Sequence, residues 1–118
     1  MKSNYLFFLI FVCFSCTVHL PISNGTYLFQ HKFAEHPNTS SDIKFEVIID
    51  NPKIVVQNIE ESKIWHTGII EEGKLFFHEA SQRWIIIHSD KDKNALEVGG
   101  CTDGPTVVDL INKIYWTC

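Results

Sequence analysis

Histidine, glutamate and tryptophan recur in one stretch of this chain at spacings that could bring them together. Residues 64–89 read IWHTGIIEEGKLFFHEASQRWIIIHS. Two-residue turns at Glu72-Gly73 and Ser81-Gln82 would fold this stretch into a three-stranded meander whose register follows by counting. One face would carry the rows Ile70–Leu75–His88, Gly68–Phe77–Ile86 and His66–Glu79–Trp84, and the other face Ile69–Phe76–Ile87 and Thr67–His78–Ile85. A carboxylate beside an imidazole favours the protonated ring and orients it, which suits general acid–base work. A cross-strand charge pair at a sheet rim has the same composition and contributes at most about 1 kcal/mol. His66, Glu79, Trp84 and His88 are therefore the candidate binding residues. No catalytic residue is assigned, because neither a G-x-S-x-G nor an H-E-x-x-H motif is present.

The chain has 6 histidines, five of them beyond position 30: His31, His36, His66, His78 and His88. None falls in an H-x-H or H-x-x-x-H pair, so no metal site and no cofactor are assigned. Asp90, Asp92 and Asn94 alternate as in the first half of a calcium loop. Ala95 then stands where such a loop needs glycine and Cys101 where it needs glutamate, so a solvated turn is expected there. Asn24-Gly-Thr26 and Asn38-Thr-Ser40 match the glycosylation acceptor pattern, which has meaning only in a eukaryotic secretory route.

The elements that would carry these residues read as strands. Tyr27, Phe29, His31 and Phe33 alternate with polar neighbours, and Ile43, Phe45, Val47 and Ile49 do so again. DNPK at 50–53 is a turn, and IVVQNI at 54–59 returns from it. ALEV at 95–98 reads as a further short strand. Residues 106–117 fit either a hairpin turning near Asn112 or a short C-terminal helix, and their β-branched content favours the hairpin. Short strands spaced by about ten residues predict an all-β fold, a small antiparallel meander forming a barrel or sandwich. Both faces of the proposed meander are apolar at the centre. Such a sheet is covered on both sides, or is a barrel with a partly buried outer face.

The N-terminus, MKSNYLFFLIFVCFSC, has one lysine and then an apolar run from Tyr5 to Phe14. That is the layout of a signal peptide, and it falls short of the roughly 20 apolar residues a membrane-spanning helix needs. Residues 1–25 are read as signal peptide and remnant, and 26–118 as a single β-rich domain. Secretion or a periplasmic location follows, with a lipid anchor through Cys16 as the alternative. Without Lys2 the chain holds 9 basic and 14 acidic side chains, a formal charge of −5. A nucleic-acid partner requires a basic face, and none is present. Cys101 and Cys118 are the cysteines left after signal removal. In an oxidising compartment they should pair, closing a loop that stabilises by about 3 kcal/mol in the chain-entropy model. Gly99 and Gly100 give the backbone freedom to reach that geometry. The expected function is a small exported, non-enzymatic module that binds a partner protein or a small ligand. The alternative is a small metal-dependent or acid–base hydrolase using His66 and Glu79.

Overall fold

A computed structural model describes residues 18–118, so the apolar run Tyr5–Phe14 and Cys16 lie outside the described residues, whereas Leu20 and Ile22, from the stretch read as signal remnant, pack against the core. The described residues form seven strands: β1 (Gly25–Phe33), β2 (Ser40–Asp50), β3 (Lys53–Asn58), β4 (Gly68–His78), β5 (Arg83–Ile87), β6 (Thr106–Asp109) and β7 (Ile114–Thr117). They close in sequence order into one barrel. Consecutive strands pair antiparallel, whereas β1 and β7 pair parallel, His31 standing beside Tyr115. This follows from the count: an up-and-down ring with an odd number of strands brings its first and last strands together running the same way. The all-β reading holds, and the barrel is the form it takes. The C-terminal segment is the hairpin β6–β7, not a helix. The helical element among the described residues is a single 3-10 turn, Asp90–Asn94.

Period-two alternation decides what fills the ring. Phe29, Phe45, Val47, Ile49, Ile54, Val56, Leu75, Ile86, Val108, Leu110 and Tyr115 form the inner cluster, closed at its margins by Trp65 and Trp84. A second, smaller cluster lies on the outer face of β4–β6. There Ile85, Ile87 and Val107 are buried beneath Phe76, Trp116 and Val98. Val98 belongs to the segment 88–105, which crosses that face between β5 and β6. Both apolar faces of the β4–β5 region are thereby covered, one by the barrel interior and one by this segment.

Two local expectations are corrected. Glu72-Gly73 is not a turn, because β4 runs straight through it and Gly73 pairs with Ile54 of β3. The glycine serves a close approach: a Cβ there would lie 2.5 Å from the Ile87 carbonyl oxygen. ALEV at 95–98 is not a strand. Both edges of β5 are already taken, by β4 and by β6, so no free edge remains for it.

Candidate functional site

The row His66–Glu79–Trp84 is not assembled. Because β4 is one continuous strand, His66 lies just before its start and Glu79 just after its end. Eleven extended residues span about 35 Å. His66 sits in the β3–β4 loop, where its Nε2 is 3.0 Å from the Ile69 carbonyl oxygen. The β4–β5 turn is also longer than two residues. His78 pairs with Arg83, leaving Glu79–Gln82 as the loop, with Gln82 in the left-handed region at φ 58°. The register therefore differs by two residues from the expected one. A shift of two preserves the faces, so Leu75, Phe77, Trp84 and Ile86 still share one side. Trp84 stands opposite Phe77, their rings 5.4 Å apart and edge to face.

His88 has a different partner from any foreseen. Its Nε2 lies 3.1 Å from Glu71 Oε2, and the Glu71 side chain is only 10% exposed against 53% for the imidazole. Glu71 pairs with Val56 and so points into the barrel. Its other oxygen accepts a 2.6 Å hydrogen bond from the Tyr115 hydroxyl. Burial, followed by the neighbouring Glu71 charge, raises the Tyr115 phenol well above its ordinary value. Gly73 makes room for this chain of contacts, since a side chain there would meet the His88 ring. Phenol, carboxylate and imidazole thus form a line from the core to the surface. Its sequence signal was the carboxylate itself: Glu71 falls on the inward parity of β4, and an inward acid implies a partner.

His31, fully buried, is held by two hydroxyls: Nδ1 is 2.8 Å from Ser41 Oγ and Nε2 is 2.7 Å from Thr117 Oγ1. Ser41 donates its own hydrogen to the His31 carbonyl oxygen at 3.2 Å. It must therefore accept from Nδ1–H, and Thr117 donates to Nε2. Burial pulls the His31 pKa below its ordinary value. The ring packs edge-on against Phe33 and Trp65. It braces the last strand onto the first and has no opening to solvent.

The remaining candidate surface lies at the barrel end where the β2–β3, β4–β5 and β6–β7 turns gather. Trp84 is shared by two open grooves there. One, of about 690 Å³, is bordered by Phe76, Phe77, Glu79, Lys93 and Leu96. The other, of about 610 Å³, starts there at Arg83, Asp109 and Ile111 and runs along the outside past Trp116 to Ala34 and Pro37 of the β1–β2 loop. Leu96 is 98% exposed. Its position is nonetheless fixed on both sides. The carbonyl of Ala95 accepts a 2.7 Å bond from His78 Nε2, and Val98 is packed into the outer cluster. Asp92 holds the upstream 3-10 turn by accepting the backbone N–H groups of His88 and Ser89, so this carboxylate caps a turn.

The chain matches no known protein family, no curated protein and no solved structure. Its own geometry carries the functional argument. Cys101 and Cys118 form a disulfide, with Cα atoms 4.6 Å apart, and it ties the end of β7 to the covering segment. Gly99 and Gly100 just before it take left-handed φ values of 67° and 60°. Among the described residues, the cluster with metal-ligand spacing is Glu35, Cys101 and Cys118, and its two sulfurs are already bonded to each other. No helix among the described residues is long and apolar enough to cross a membrane.

Proposed function

We propose that this protein is a small exported, non-enzymatic binding module, secreted or periplasmic, whose contact surface is centred on Trp84 and Leu96. The observation that carries the reading is the state of Leu96. A leucine exposed in full costs its domain apolar hydration, and single cases are common. Here the backbone on either side is anchored, and the residue borders a groove lined also by Phe76, Phe77 and Trp84. An aliphatic group on an anchored backbone costs less ordering on docking than one on a mobile loop, which is how preorganised anchors gain affinity. The barrel interior is filled by its own side chains. A partner therefore engages the outside, and the grooves suit a protein surface better than an enclosed small molecule. The disulfide supports an oxidising location. The acid–base alternative through His66 and Glu79 loses its geometric basis, since the two stand at opposite ends of β4.

The test compares immobilised wild-type protein with Leu96→Asp in the extracellular fluid of its source. A protein retained by the wild type and released by the variant is expected, with the two circular dichroism spectra superimposing. Equal retention by both would remove this face from consideration.

A further inference from the structure

We infer that the partner of the Leu96 face is a second copy of this chain, joined through a two-fold axis; this rests on the binding-surface reading above. In a two-fold contact the same patch is used twice, so each projection must find its recess on the same face of the other molecule. The groove beside Trp84 satisfies that condition in shape. Leu96 is the projection, and the groove it borders, lined also by Phe76, Phe77 and Trp84, is the recess.

It satisfies the condition in charge as well. The same groove carries one ammonium, Lys93, and one exposed carboxylate, Glu79. A two-fold rotation sets each Lys93 toward the Glu79 of the other copy, giving two equivalent ion pairs at the rim. Lys93 has only a loose tie at home: Asp90 Oδ1 at 3.4 Å, its neighbour along the 3-10 turn, itself almost wholly exposed. The Lys93 ammonium also sits 5.5 Å from the centre of the Phe76 ring, which borders the same groove. A hydrophobic centre with opposite charges at its rim is the usual anatomy of a specific interface. Rim charges set orientation and exclude wrong partners more than they add affinity. The pair Lys93 and Glu79 therefore fixes which copy-to-copy orientation is used, and Leu96 supplies the anchor.

The decisive experiment uses the disulfide-bonded exported protein. Sedimentation across a dilution series should show a monomer–dimer equilibrium for the wild type. Leu96→Asp should remain monomeric at every concentration while keeping its circular dichroism spectrum. Lys93→Glu and Glu79→Lys should each weaken self-association at least tenfold, since each places like charges across the axis. Mixed in equal amounts, those two variants should form a heterodimer, because each then supplies what the other lacks. A wild-type protein that stays monomeric overturns the proposal, as does a dimer indifferent to Leu96→Asp or a mixture that fails to pair. A photo-reactive phenylalanine at position 96 separates this failure from failure of the binding-surface reading. Adducts of twice the chain mass support self-pairing. Adducts only with a different protein overturn it and leave the surface standing. No adduct under secretion conditions overturns both.

Discussion

Removing the Tyr115 hydroxyl is the sharpest probe of the barrel interior. The phenol donates 2.6 Å to Glu71, whose side chain is 10% exposed. Hydrogen bonds to a charged group contribute about 1.5–3 kcal/mol, and a nearly buried acceptor has little water to replace the loss. The other contact of Glu71, to His88, is half in solvent and belongs with exposed ion pairs at about 1 kcal/mol or less. A double-mutant cycle on Tyr115→Phe and Glu71→Gln should therefore give a coupling of about 1.5–3 kcal/mol. The matching cycle on His88→Ala and Glu71→Gln should give less than about 1 kcal/mol. Urea unfolding followed by tryptophan fluorescence supplies all the required stabilities, provided the slopes agree among variants. A Tyr115–Glu71 coupling under about 0.5 kcal/mol, or one no larger than that of His88, would show that the carboxylate is solvated and does not depend on the core.

Replacing Cys101 and Cys118 by serine should cost about 2–4 kcal/mol, and mass analysis without reductant should find the two linked in the wild type; two alkylatable thiols would refute this. His31 makes stability depend on pH. Its folded pKa is below the unfolded value near 6.5, so above that value both states are neutral and the full stability is present. As pH falls below about 6.5 the unfolded chain takes a proton that the native state refuses, and stability drops by up to about 1.4 kcal/mol per pH unit until His31 itself protonates. NMR titration of its ring protons should give a midpoint below 6.5, and one at or above that value would contradict the buried, hydroxyl-held ring. Gly73→Ala should destabilise by about 1–3 kcal/mol or more, because the new methyl meets backbone of β5 and neither strand can yield alone; unchanged unfolding would mean the β4–β5 approach is looser than described. N-terminal sequencing of exported protein should begin between Thr17 and Tyr27, and an intact Met1 would refute the leader.

Where a residue's type and its parity agreed, the sequence was enough. Ile43 to Ile49 alternate without interruption, and they form the inward row of β2 as expected. The turn at Asn51-Pro52 and the pairing of Cys101 with Cys118 were equally legible. Gly73 was misleading, because glycine marks a turn and a close backbone approach with the same letter. Composition cannot separate the two; only the position of Ile87 does. The β4–β5 loop failed for a related reason. Ser81-Gln82 looks like a two-residue turn, yet Gln82 takes a left-handed conformation inside a four-residue loop. The first error placed a turn inside a continuous strand; the second was in register, and sidedness survived within β4–β5 because the slip was even. The Glu71–Tyr115 contact was out of reach, since it joins β4 to β7 across the interior, 44 positions apart. The prominence of Leu96 was likewise hidden: burial of a loop side chain depends on what pins the loop, and here that is His78, Val98 and the disulfide.

The parallel seam between β1 and β7 has a consequence for biogenesis. The strand that completes the ring, β7, is made after the six others described, and it bonds to the first. Until residues 114–117 have emerged, β1 has one edge without a neighbour, Tyr115 cannot reach Glu71, and His31 lacks the Thr117 hydroxyl. Closure joins segments more than 80 positions apart, the kind of contact that slows folding because the loop entropy is spent before the contact is made. A chain threaded outward from its N-terminus would therefore emerge as an open ribbon with an exposed edge, the form most prone to pairing with its neighbours. Loss of residues 114–118 should cost far more than their share of the length, leaving a chain that never rings shut.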